Sequence, residues 1–502
     1  MSQNGGPVGL WNGTRRLGWV ALGFIALGSF ALADWPMLGG TPARNMANPT
    51  AKSIPSEWSI KKGARKSVLW SADLGTTTYG GVVVAGGKVF IGSNNDRPKD
   101  PALAGDRGVM YAFDAATGKF LWQHTHEKLP DPDLNDWPKQ GIPSSPAVDG
   151  DRLFYVSNRA ELVCLSTEGE GNKAKVLWIL DMIKDLKVFP CYLAMSSPTV
   201  VGDVVFVNTG NGINHGTHKT PEPTAPSFIA VDKKTGKVVW QDASPGEKIM
   251  EGQWCSPCAY EINKTWQVAF PGGDGILYGF DAKSGKRLWK FDCNPKKAEF
   301  KPGGRGDRSY FMVCPVFHES LLYISTGNNP DDGPGVGHLF CIDPSKAKAG
   351  EFTDLTAPDE TYKPGGANAS SGLVWHLGGK IDPKPEDGRE VHFGRSLSTV
   401  SIADGLLYAA ELDGFMHCLD AKTGKKHWEH DLKDGTWASP VVADGKVFMG
   451  TDSGDLYVFA HGKEKQEPTK IEMEQSLKAG PTVDGSTLYI HNGTTLFAIK
   501  GK

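Results

Sequence analysis

The sequence predicts an all-β fold: an eight-bladed β-propeller, in which four-stranded units close into a ring. Three observations predict it. A ten-residue pattern recurs, as FDAATGKFLW at 113–122, VDKKTGKVVW at 231–240, FDAKSGKRLW at 280–289 and LDAKTGKKHW at 419–428. Most units open on a small residue followed by proline: Ser145-Pro146, Ser197-Pro198, Ser256-Pro257, Cys314-Pro315, Ser439-Pro440 and Gly480-Pro481. Finally, the last unit stops one strand short, and a spare strand, Val68-Leu69-Trp70-Ser71, stands near the chain start.

The recurring pattern is a hairpin. Alternating residues such as Val109-Met110-Tyr111-Ala112-Phe113 form a strand that leads into it. The Asp and Thr of D-x-x-T-G bond back to their own turn, and the Gly supplies a positive φ. With strands lettered A to D in each unit, this is the C–D turn, and strand D carries the Trp. The units span 79–123, 144–181, 196–242, 255–292, 312–377, 398–432, 438–473 and 480–499; the fifth is enlarged by 344–372. The strand-D residues are Trp70, Trp122, Trp178, Trp240, Trp289, Trp375 and Trp428, and the seventh unit has none. Residues 68–73 beside 496–499 complete the last unit and close the ring, which removes most free sheet edges. Cys164, Cys341 and Cys418 share one strand-C position with Ala112 and Ala230, so they read as small core residues.

The chain has 502 residues, with 62 Gly and 15 Trp, a composition of short strands and tight turns. A net charge of −3 gives no polybasic surface for nucleic acid. Eight cysteines are too few for a disulfide scaffold of this size. Arg15 and Arg16, an apolar stretch at 17–32 and Ala31-Leu32-Ala33 form a cleavable signal peptide. The expected division is therefore 1–33 signal peptide, 34–66 irregular lead-in and 67–502 propeller. The expected location is periplasmic or extracellular, with no stable membrane span after cleavage.

In an antiparallel A–B–C–D unit the B–C and D–A loops leave by the same face. The long ones, at 94–108, 124–143, 211–227, 243–254, 294–310 and 328–337, gather there, and binding residues concentrate on such loops. Residues that follow a B strand or precede an A strand would wall a ligand pocket at the channel mouth: Asn94, Asn211, Glu251, Trp254, Asp274, Asn328, Arg395, Glu411 and Trp437. Carboxamides, carboxylates and two indoles suit a polar planar or sugar-like ligand, so a protein or glycan partner is expected on this face. Arg97, Arg107, Arg305, Arg308 and Arg395 lie in the long loops as candidate anion contacts. In Cys255-Ser256-Pro257-Cys258 the two thiols are three apart on a strand and face opposite ways, which argues against a shared metal or disulfide.

The A-x-D-x-x-T-G-x-x-x-W repeat resembles the tryptophan-docking repeat of PQQ-like, or quinoprotein-type, β-propellers. Residues 112–122 and 230–240 match it fully. The resemblance implies two kinds of relative: PQQ- and Ca²⁺-dependent alcohol or sugar dehydrogenases, and the non-enzymatic propeller of the outer-membrane assembly machinery. In the dehydrogenases a G-N turn after strand B supplies an Asn ligand to Ca²⁺. Gly210-Asn211 stands there, making Asn211 the candidate metal ligand, and Gly327-Asn328 repeats it. Their base is an Asp directly after a Trp, but Trp254 is followed by Cys255, and no adjacent Cys-Cys pair exists. A thiol cannot replace a carboxylate that takes a proton beside a metal. The expectation is thus a non-catalytic binding or assembly scaffold with no catalytic residues and no bound cofactor. The alternative is a dehydrogenase using PQQ and Ca²⁺ at a diverged site.

Overall fold

A computed structural model of the chain describes residues 34–130, 136–303, 306–359, 362–363, 368–381, 389 and 391–501. The expected signal peptide and Arg305 lie outside these described residues.

Each unit is a four-stranded antiparallel group; in unit one the strands are Val83–Ala85, Lys88–Asn94, Arg107–Asp114 and Phe120–Glu127. Strand A lies innermost and strand D outermost. The spare strand Val68–Asp73 pairs antiparallel with Thr495–Lys500, with Trp70 opposite Ala498, and so completes the last unit. Two long C–D excursions cover neighbouring edges. Lys173 of unit two pairs in parallel with Gln123 of unit one, merging the two sheets, and Thr353–Asp354 of unit five lies parallel to Trp289 and Lys290 of unit four. Both block an outer edge that is otherwise open to pairing.

The repeat motif is an inter-unit joint. Asp114 accepts from the Thr117 amide at 2.8 Å and from its hydroxyl at 2.6 Å, which fixes the turn. Gly118 has φ +70°, and a Cβ there would lie 2.5 Å from the Trp70 ring of the preceding unit. The indole N–H of Trp70 then donates to Ala115 O at 2.9 Å. The same donation joins Trp122 to Thr167 O, Trp178 to Lys233 O, Trp240 to Ala282 O, Trp375 to Ala421 O and Trp428 to Gly462 O. Across the hairpin, each Trp faces a small strand-C residue: Ala112, Cys164, Ala230, Gly279, Cys341 or Cys418. Unit five has no D-x-x-T-G turn, and Trp289 bonds instead to Gln267 of its own unit at 3.2 Å.

The small-residue–proline starts form a second joint around the channel. The Gly81 amide donates to Ser145 Oγ, Ser145 to Ser197 and Ser197 to Ser256; Cys314 donates to Thr399 Oγ1 and Thr399 to Ser439. Each hydroxyl accepts from the unit before it. The chain of bonds lapses where Cys314 or Gly480 offers no hydroxyl.

The lead-in runs along the inner edges of the A strands. Trp35 bridges to Val84, Pro36 O accepts from Val148, Pro42 O from Ala259 and Ala43 O from Phe317. Asn45 exchanges bonds with Ile402, Ala47–Asn48 pairs in parallel with Val442 and Ala443, and Asn48 reaches Val483 O. Arg44 anchors it. This side chain is 0% exposed and donates to the carbonyls of Leu38, Ser197, Pro198 and Pro257 and to Thr199 Oγ1, at 2.6–3.1 Å. No carboxylate pairs with it among the described residues, and burial lowers its pKa.

Trp122→Ala removes a fully buried indole and its bond to the next unit, and should cost about 3–5 kcal/mol in urea unfolding. Arg44→Met keeps the bulk but removes the side-chain donor from the carbonyls of Leu38, Ser197 and Pro198, while Pro257 O keeps the Thr199 hydroxyl; a loss of about 3 kcal/mol is expected in the same measurement.

Candidate functional site

One position, four residues before each strand A, recurs around the channel as Tyr79, Pro143, Met195, Trp254, Met312, Leu397, Trp437 and Lys478. Together these residues form a collar. Below it a chamber of about 150 Å³ is floored by Trp35, Leu38 and Met46 of the lead-in. Above it opens a cup of about 220 Å³, to which D–A and B–C loops add Trp137, Gln140, Tyr192, Leu193, Asn329, Pro330 and Asp331.

The cup is mainly aromatic. Ring centroids lie 5.1 Å apart for Trp137 and Tyr192, 6.1 Å for Tyr192 and Trp254, and 6.0 Å for Tyr79 and Trp437, which stack. The Trp254 indole donates to Cys191 O at 3.0 Å, fixing one wall. Tyr192 is held at φ 57°, a left-handed conformation that costs an L-residue about 1–2 kcal/mol and aims its ring at the cup.

A buried polar cluster supports Tyr192 from behind. His215 Nε2 lies 3.2 Å from Cys191 Sγ, and His215 Nδ1 lies 3.4 Å from the Tyr192 hydroxyl. Glu251 accepts from the Tyr310 hydroxyl and from Asn329 Nδ2 at 2.9 Å. Burial raises the Glu251 carboxyl and the Cys191 thiol and lowers the His215 imidazole. A thiol raised in this way is no nucleophile.

Of the residues expected to wall the pocket, Trp254 and Trp437 line the cup. The other seven are corrections: most of their polar atoms hold the loops that carry them, while Asn328 Nδ2 and Arg395 Nε are buried without a hydrogen-bond partner among the described residues. Asn94 bonds Thr76 and Lys139 O. Asn211 accepts from the Phe189 amide and donates to Glu222 O, both at 2.9 Å. Asn328 accepts from the Tyr310 amide, and Arg395 donates to Asp332 O and Gly333 O. Asp274 accepts from the Tyr278 hydroxyl at 2.6 Å and from the Ile276 amide. Glu411 sits between His417 and Arg389; burial alone would raise it, but their hydrogen bonds and charge hold it below the ordinary carboxylate range. Glu251 reaches the cup through Asn329 and, at 3.7 Å, through His215 behind Tyr192. Nor do the loop arginines converge: Arg107 pairs with Glu127, and Arg308 with Asp292.

This donor set does not fit a Ca²⁺-bound quinone. Both amide atoms of Asn211 are engaged by backbone, and no group of three or more His, Cys, Asp or Glu among the described residues could hold a metal ion. Ca²⁺ takes six to eight oxygens, carboxylates among them. Cys255, in the position of the family's base, is 3% exposed and packs in the core of units four and five.

The model of the family described as "Outer membrane protein assembly factor BamB" matches residues 105–298 and 367–502. The chain belongs to this family of PQQ-like repeat β-propellers. Over 247 residues it is 28% identical to the 1-butanol dehydrogenase (quinone) of Thauera butanivorans, covering 45% of this chain and 38% of that one. It spans about half or less of the length of the curated relatives it matches. Among solved structures, the quinohemoprotein alcohol dehydrogenase of Comamonas testosteroni has a TM-score of 0.61 at 15% identity, covering 94% of this chain and 81% of its own. BamB from Moraxella catarrhalis has a TM-score of 0.52 at 15% identity, covering 86% and 97%. At these identities the likeness is one of fold. No helix of the described residues is long and apolar enough to cross a membrane.

Burial raises Asp274 to about 6, so the native state holds a proton that the unfolded chain releases. The stability from this group is fully present below the ordinary carboxylate value and is lost as pH rises through about 6. Asp274→Asn, which keeps an acceptor for Tyr278, should flatten the fall in stability between pH 4 and pH 6 in urea titrations.

Proposed function

We propose that this protein is an exported, non-catalytic binding or assembly scaffold whose ligand seats in the aromatic cup. The observation that carries this is Cys255. The residue after Trp254 is a buried thiol, so no carboxylate stands where the dehydrogenases place the base that takes a proton from an alcohol. A rigid cup suits recognition of a small ligand or of an exposed group on a protein or glycan partner.

The second reading is a PQQ- and Ca²⁺-dependent dehydrogenase with a rearranged site. The likeness to the quinone-dependent 1-butanol dehydrogenase and the Gly210-Asn211 turn favour it. The full chain, titrated with PQQ and Ca²⁺ and assayed by dye reduction on alcohols and sugars, separates the two. The scaffold reading expects no turnover. Dye reduction that disappears in Asn211→Ala would overturn it.

A further inference from the structure

We propose that the cup takes an organic ammonium ion, with a quaternary or methylated nitrogen seated among its aromatic rings. This deepens the scaffold reading and rests on the cup being a binding site.

Four features support it. First, Trp137, Tyr192, Trp254 and the stacked pair Tyr79–Trp437 bring five ring systems to one opening. Ring faces carry negative charge density and attract cations, and quaternary ammonium groups are held in such cages. Second, among the described residues the lining carries one charged side chain, the carboxylate of Asp331, which makes no ion pair there. Third, the chain already sets an ammonium against one of these rings, Trp437, which leaves Trp137, Tyr192, Trp254 and Tyr79 for the ligand. Lys478 Nζ lies 3.8 Å from the Trp437 centroid, oriented by Asp452 at 3.0 Å. Fourth, the phenols sense a negative surround. Tyr192 is pushed up to about 12, by burial first and then by Glu251, Asp331 and Asp332 among others, and Tyr79 is raised by burial and by Asp331 and Asp452.

A neutral sugar fits less well. It needs several hydrogen-bonding partners, but the lining amides are Gln140 and Asn329, and Asn329 Nδ2 is held by Glu251. A desolvated ammonium needs ring faces and one counter-charge, and both are present.

The test titrates the full chain with choline and with its uncharged isostere, in which carbon replaces nitrogen, following tryptophan fluorescence. Choline should bind about tenfold more tightly than the isostere, the order of a desolvated cation–π contribution. Asp331→Asn should weaken choline by about threefold, the modest effect of an exposed charge, and leave the isostere unchanged. Tyr192→Ala should weaken choline further. Equal binding of the two probes, binding of neither at millimolar concentration, or indifference to Asp331→Asn would overturn the inference. Binding of a neutral glycan in place of choline would sink it while leaving the scaffold reading intact. Dye reduction with PQQ and Ca²⁺ would remove the scaffold reading by a separate measurement.

Discussion

A four-stranded antiparallel unit is too small to bury both of its faces and has two raw edges, so each unit must borrow from its neighbour. The borrowing here is concrete. An indole N–H on the outer strand of one unit donates to a backbone carbonyl in the next, and the indole lies on that unit's turn glycine. The glycine is needed twice over, for its positive φ and because any Cβ would meet the ring. Nearer the axis, hydroxyls at the strand starts accept amide protons from the unit before. An outer and an inner joint together fix the angle between neighbours. Ring closure by Val68–Asp73 follows, since one unit would otherwise lack its outer strand and its Trp.

The cup is a product of the same geometry. Two residues before each small strand-start residue, the chain stands at the rim of the channel, and the residue at that position sets the collar's character. Here it is largely apolar and aromatic. The lead-in lies at the other end. Arg44 holds it with a charge satisfied wholly by carbonyls and a hydroxyl, so its desolvation is offset by hydrogen bonds. The result is a cup whose underlying chamber is lined by Trp35, Leu38 and Met46 of the lead-in.

Most of the fold was legible because its signals are local and repeated. D-x-x-T-G announces a hairpin, the Trp announces a buried face, and the missing last strand announces closure. The lead-in was harder to read. Residues 34–66 carry little strand periodicity, because their bonds go singly to many different A strands and not to one partner. The site was legible in part. Trp254 and Trp437 came from their place before strand A, and Tyr79 could have come from the same spacing. Asn94, Asn211 and Asn328 misled because an Asn after a strand serves a turn as readily as a ligand. Trp137, Tyr192 and Asp331 sit within long loops, where sequence position does not fix direction.

The cup keeps its shape only if the ring and lead-in act as one cooperative body beneath it. Hydrogen–deuterium exchange on the wild type and Arg44→Met tests this most directly. If they are coupled, the wild-type amides of Ser145, Ser197 and Thr399 exchange only through global unfolding, and Arg44→Met releases the lead-in together with strands Thr199–Val201 and Cys258–Ile262. Faster exchange confined to residues 34–66, with those strands as protected as in the wild type, would contradict it.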